Sequence, residues 1–236
     1  MNLYLTIFIF MYIFISVLII IDLYPLWDDF KSRYRLQKSY ITNSPLDIHF
    51  KYLDSIIKKS VDFEGHTACS KNKIKFINNI LDKYNIKNIA EIGFNAGHST
   101  AIFLNNKNIN SVVSFDLGQH EYSQKCIKYI KNISKNRFSI VLGNSIETVP
   151  KYKGELFDLV FIDGGHYDNI PYLDIKNTIE YLSKKNTLLL IDDTFYSYII
   201  SIISKINVDK AVNHYIKINK IKLLSSIRGL SLCIVI

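Results

Sequence analysis

Apolar positions follow three different rhythms along this chain. From Leu3 to Ile21 the run "LYLTIFIFMYIFISVLIII" has no charge, Gly or Pro, so a helix there has no polar face. At ~1.5 Å per residue it is about 28 Å long, close to the ~30 Å hydrocarbon core of a bilayer, and it predicts a transmembrane helix over residues 1–21. A signal peptide would need a shorter apolar region, a basic start and small residues at a cleavage site. The alternative is a core helix, apolar on every face for about five turns. The second rhythm is helical: in "KNKIKFINNILDKYN" Ile74, Ile77, Ile80 and Leu81 share one face, the pattern of a helix packed on a sheet. The third starts at Lys87, where short apolar runs alternate with polar, helix-like stretches: "NIAEI", "SVVSFD", "FSIVLG", "DLVFID", "TLLLID" and "LSLCIVI". Such alternation predicts an α/β domain, a parallel sheet with helices on both faces. Residues 22–63 read as a juxtamembrane connector and 64–236 as the domain.

Composition refines this picture in a few places. A chain of 236 residues with 48% hydrophobic and 21% charged residues suits one globular domain plus a short appendage. The net charge of +8 arises from lysines scattered among Ile, Asn and Tyr, so no nucleic-acid partner is expected. Cys69, Cys126 and Cys233 lie far apart; they imply no disulfide framework and no zinc site, and they fit a reducing compartment. Tyr24 and Trp27 suit a membrane interface and Pro25 discourages further helix, with Lys31, Arg33, Arg35 and Lys38 following. The positive-inside rule then predicts a single-pass membrane protein whose domain faces the cytosol, although Asp22, Asp28 and Asp29 blur the signal.

In open α/β sheets ligands collect at the carboxyl ends of the strands. The first strand runs into "EIGFNAGHST", Glu91 to Thr100. A P-loop needs GxxxxGK[ST], and this turn has neither that spacing nor its lysine. A dinucleotide turn needs GxGxxG, and Glu91 would repel a pyrophosphate. A ligand with a cationic head suits the acid better, and S-adenosylmethionine carries a sulfonium and an ammonium beside a carboxylate. Glu91 can act through the loop on the cationic end, Gly93 and Gly97 allow close backbone approach, and the amides and hydroxyl at Ser99 can take the carboxylate. A plain strand-to-helix turn is the alternative. Asp116 ends the second run, where a nucleoside-binding unit delivers a carboxylate to the ribose hydroxyls; a dehydrogenase would place one there too. Asn144 and Ser145 in "GNSIETVP" offer polar groups for the adenine side, and a helix cap is an equal reading of Ser145.

Taken in order, "EIGFNAGHS", "SFDLGQHEY", "FDLVFIDGGHYD" and "LLLIDD" resemble the class I S-adenosylmethionine-dependent methyltransferases, most closely the O-methyltransferases related to catechol O-methyltransferase and the macrolide-sugar enzymes. The resemblance covers residues 64 to 236. It implies a Rossmann-like, mostly parallel sheet of seven strands whose last strand, in "IRGLSLCIVI", runs antiparallel. It also implies cofactor contacts at Glu91, Gly93, Gly97, Ser99, Asp116 and Ser145. Asn95 stands where many members have a middle glycine; the catechol-type branch lacks it too, which places Asn95 among the cofactor-side residues.

Asp163 ends the fourth run and Asp192 and Asp193 end the fifth, so neighbouring strands would bring three carboxylates together. Hard oxygen ligands without cysteine suit Mg²⁺ foremost, then Mn²⁺ or Ca²⁺, and the resemblance implies a divalent ion at these positions. The bland alternative is that one aspartate caps a helix and another is solvated. His166, after the two glycines of "DGGHYD", has an ordinary pKa suited to a general base; the catechol-type relatives have a lysine base in that place. It can take the acceptor's proton, or bind the acceptor or the metal. His98, His120 and Tyr122 are weaker candidates for the pocket wall. Together with these residues the resemblance implies O-methylation of a small-molecule or sugar hydroxyl, with His166 and Asp163 as catalytic residues. A noncatalytic S-adenosylmethionine-binding scaffold and an NAD-dependent oxidoreductase are the other classes.

Overall fold

The structure is a computed structural model that describes residues 39–58, 65–194 and 207–236, with isolated positions at 11–13 and 16. Apart from those positions, the expected transmembrane segment and the basic cluster after it lie outside the described residues. Among the described residues no helix is long and apolar enough to cross a membrane.

Seven strands form one sheet: β1 (Asn88–Ile92), β2 (Ser111–Asp116), β3 (Phe138–Leu142), β4 (Phe157–Ile162), β5 (Ser183–Asp192), β6 (Ile221–Ile227) and β7 (Leu230–Val235). Their spatial order is β3-β2-β1-β4-β5-β7-β6. The first five pair in parallel, and β7 runs antiparallel between β5 and β6. All six apolar runs became strands. β6 was not among them, because "IKLLSSI" is an edge strand whose positions are mostly exposed and so carries little hydrophobic signal.

Strand alternation divides the core into two layers. Ile89, Val112, Leu159 and Leu190 face helices α1 (Leu46–Ile57), α2 (Lys71–Lys83), α3 (His98–Asn105) and α4 (Ser123–Ile133). On the opposite face Ala90, Val160, Leu189 and Cys233 meet α6 (Ile170–Asn177) and α7 (Val208–Lys217), with the short α5 (Ser145–Thr148) nearby. Strands covered on both faces are apolar at nearly every position, hence the continuous runs. The helical face expected in α2 is the buried one: Ile74, Ile77, Ile80 and Leu81.

The connector reading of residues 22–63 needs correction. Leu46, Phe50 and Leu53 of α1 are at most 1% exposed and belong to the main core. Burying each such side chain stabilises the fold by about 1.5–3 kcal/mol, so the folded unit begins well before residue 64. The strand order reverses between β1 and β4, which opens a crevice at their carboxyl ends.

Candidate active site

From β1 the chain turns through Gly93, Asn95 and Gly97, all with positive φ (93°, 50° and 83°). A Cβ on Gly93 would lie 1.9 Å from the Asp163 carbonyl oxygen, so only glycine lets this turn sit against the end of β4. Asn95 adopts the left-handed conformation that a glycine would take, and asparagine is among the few residues that tolerate it. Its Nδ2 donates to the Gly65 carbonyl (3.1 Å) and its Oδ1 accepts from the Tyr122 hydroxyl (2.6 Å). The departure from glycine thus ties the turn to two flanking segments.

Asp116 at the end of β2 is half-buried. Its Oδ2 accepts from the amides of Phe94 (2.8 Å) and Asn95 (3.0 Å), and its Oδ1 from the Gly118 amide (2.6 Å). The carboxylate expected at a ribose therefore also holds the turn in shape. Glu91 is placed differently from its expected role. It is fully buried and accepts hydrogen bonds from the hydroxyls of Ser99, Thr100 and Ser114. Burial pushes its carboxyl up to about 7 even against those three donors. Glu91 and the Ser99 hydroxyl face each other beneath the turn rather than a ligand above it. Strand alternation was the missed signal, since Glu91 shares its face with the core residue Ile89. For an anion, the amides of the first turn of α3 are left, which helix geometry leaves without intrahelical carbonyls.

Beyond β3, Asn144 is the cap of α5: its Oδ1 accepts from the Ile146 amide at 3.0 Å. Ser145 instead donates to Asp174 Oδ1 (2.7 Å). Asp174 drew no attention in the sequence. It is 1% exposed, burial pushes it up to about 6, and its Oδ2 would lie 2.6 Å from a Cβ on Gly164. His98 also needs correction: it lies buried behind the turn, against Asp54 and His66, and does not line the crevice.

Asp163, Asp192 and Asp193 do converge at the ends of β4 and β5. Lys73 of α2 enters the group, ion-paired to Asp192 and 3.9 Å from Asp193 Oδ1. Burial opposes its charge, but Asp192, Asp193 and Asp163 more than offset that and hold the ammonium protonated. Periodicity had made Lys73 an ordinary polar position. Burial and the carboxylates of Asp192 and Asp193 raise Asp163 well above its usual range, and burial also raises Asp192 against the pull of Lys73. His166 Nε2 lies 3.1 Å from Asp193 Oδ2. One donor atom each of Asp163, His166 and Asp193 lies within 4.8 Å of the other two. The metal-type grouping is thus Asp163, His166 and Asp193, while Asp192 is engaged by Lys73.

Residues 90–194 match the family described as "Methyltransferase domain", and no curated protein sequence matches the chain. The fold is similar to that of a putative caffeoyl-CoA O-methyltransferase from Staphylococcus aureus (19% identity, TM-score 0.58, covering 89% of this chain and 98% of that one). It is also similar to an O-methyltransferase from Bacillus cereus in complex with S-adenosylhomocysteine (17%, 0.59, 81% and 90%). A Podospora anserina methyltransferase bound to the same product is a third neighbour (16%, 0.58, 87% and 94%). Over residues 90–194 the chain is thus similar to methyltransferase domains, and its fold is that of these neighbours.

Proposed function

We propose that this domain transfers the methyl group of S-adenosylmethionine to a hydroxyl of a small-molecule or sugar acceptor. The observation that carries the reading is the contact between Gly93 and the Asp163 backbone, which sets the cofactor turn directly beside the cluster of Asp163, His166 and Asp193. Its neighbours in fold include proteins described as O-methyltransferases.

In such a transfer the acceptor oxygen attacks the methyl carbon in line as the carbon–sulfur bond breaks. The bonding pair goes to sulfur, and the hydroxyl proton must leave. His166 is the proton acceptor, and Asp193, 3.1 Å from Nε2, orients the ring and stabilises the imidazolium. The site's main task is to hold the two reacting atoms aligned and dry.

Three carboxylates face one fixed cation, Lys73, and this unbalanced negative charge adds to burial in raising Asp163. Carboxylates with one imidazole suit a hard divalent ion. Asp163, His166 and Asp193 would hold it; with the imidazole then a ligand, the ion would lower the pKa of the acceptor hydroxyl in place of proton uptake by His166. For a chain with so apolar an N-terminus and a basic cluster after it, we also propose a single-pass membrane anchor with the domain on the cytosolic side. Full-length protein should then resist carbonate extraction from membranes; release into the supernatant would refute the anchor.

The activity is tested by incubating full-length protein with S-adenosylmethionine and a panel of phenols and sugars, and following S-adenosylhomocysteine release, with and without chelator. S-adenosylhomocysteine should bind in calorimetry whether or not metal is present. Binding with no turnover on any acceptor would favour a scaffold. Turnover unchanged in excess chelator would remove the metal and leave the His166–Asp193 pair.

A further inference from the structure

We propose that the outer face of α1 and α4 docks on the surface of an anionic bilayer. The lysines that look scattered along the sequence are sorted by the fold. In the layer that holds these helices, α1, α2 and α4 turn Lys51, Lys71, Lys75, Lys125, Lys128 and Lys131 toward solvent, and the exposed acid within them is Asp82. Asp47 of α1 is half-buried and is taken up by the amide and hydroxyl of Thr42. The layer on the other side of the sheet is balanced: Lys176, Lys210 and Lys217 stand there with Glu147, Glu180 and Asp209.

α1 and α4 adjoin where His49 Nδ1 lies 2.9 Å from the Tyr129 hydroxyl and the rings of Tyr52 and Tyr129 stack with centroids 4.1 Å apart. Between them runs an open groove whose walls include Lys125, Lys128, Ser55 and Asn132, donors suited to a lipid phosphate. Apolar side chains face solvent beside it. Ile48 and Tyr52, one turn apart on α1, are 67% and 48% exposed, and Ile41 just before the helix is 65% exposed. Such a mixture fits the headgroup region of a bilayer, where apolar groups enter the acyl boundary while ammonium groups meet anionic lipid. A nucleic-acid backbone would use the lysines and leave Ile41 and Ile48 in water. The tether leads to the same face. Ser39 donates to Asp54 of α1 from its amide (3.1 Å) and hydroxyl (2.9 Å), so residues 22–38, with Lys31, Arg33, Arg35 and Lys38, join the apolar run to this layer. At full extension they reach at most roughly 60 Å. Docking rests on the anchor proposed above for its proximity to the bilayer, and on the face itself for the attraction.

The test uses the full chain in bilayer discs of phosphatidylcholine, alone or with an equal share of phosphatidylserine, and reads lysine accessibility with a water-soluble acylating reagent and mass spectrometry. Labelling of Lys51, Lys125 and Lys128 should fall about fivefold in the anionic discs, the gain expected per lysine near such a surface, while Lys176 and Lys217 stay unchanged. High salt should restore the labelling. The double variant Lys125→Glu, Lys128→Glu, at two exposed positions, should restore it at Lys51 and keep the wild-type affinity for S-adenosylhomocysteine. Flotation with neutral vesicles reads the anchor by itself. A chain that does not float there should still float with anionic vesicles at low salt, and lose that binding in the double variant. Docking is overturned by equal labelling in the two kinds of disc, by an unanchored chain that floats with neither vesicle, or by protection of Lys51 that survives the double variant. Protection by added RNA with none from the anionic bilayer would overturn it too, and make the partner a nucleic acid.

Discussion

Two clusters of carboxylate and imidazole on this fold share chemistry and differ in access. At the ends of β4 and β5, His166 and Asp193 keep 30% and 22% of their side-chain surface exposed. Against α3, His98 and Asp54 keep 1% and 10%. An accessible imidazole can exchange its proton with an acceptor in the crevice. The closed cluster has no such route, and its protonation is set by burial and by its neighbours. Residue type alone therefore does not separate the two clusters; exposure does, and the proposed proton transfer calls on the open one.

The largest effect expected from breaking this division is on turnover. His166→Ala should lower kcat by about 10² to 10⁴, while S-adenosylhomocysteine affinity in calorimetry changes by less than about tenfold, ~1.4 kcal/mol. Asp54→Asn should leave kcat close to the wild-type value at saturating cofactor. If both variants lose turnover equally, the clusters are not functionally separate.

Stability should respond in the opposite sense. Asp54→Asn removes the carboxylate that the buried His66 imidazolium faces, and is expected to destabilise the fold by about 3 kcal/mol. His166→Ala, at a partly exposed position, should cost less than about 1 kcal/mol. Chemical denaturation of both variants measures the contrast, and equal losses would contradict it.

Lys73 sharpens the comparison further, because the open cluster alone has a built-in ammonium. Lys73→Met should tighten divalent-ion binding there by about tenfold, ~1.4 kcal/mol, as read by calorimetry with Mn²⁺. Weaker binding would make Lys73 a support for the site rather than a competitor of the ion.

The smallest signal expected is the pH dependence of stability in metal-free protein. His66 is raised from 6.5 to about 9, so its contribution is fully present below 6.5 and lost as pH rises to 9. His98 is lowered from 6.5 to about 3, so its neutral form supports the fold above 6.5 and that support fades as pH falls toward 3. The thermal midpoint should therefore peak near pH 6.5. Asp54→Asn should flatten the alkaline side; an unchanged alkaline slope would mean that His66 is not held protonated by Asp54.

Much of this molecule was legible because the relevant signals are local. Apolar runs of strand length marked six of the seven strands, and the spacing of Ile74, Ile77, Ile80 and Leu81 marked the buried face of α2. Gly93 and Gly97 marked a turn that needs positive φ, and acids at the ends of runs placed Asp116, Asp163, Asp192 and Asp193 at the carboxyl ends of the parallel strands. Which way these groups point, and toward whom, was decided by tertiary structure. Glu91 turned into the core to meet three hydroxyls, and Lys73 reached across 119 positions to Asp192. His98 met Asp54 across 44 positions, with α1 drawn into the core to make that meeting possible. Periodicity reports how a residue lies on its own helix or strand. Partners so distant in sequence are chosen by the packing of whole elements, and no local pattern encodes that choice.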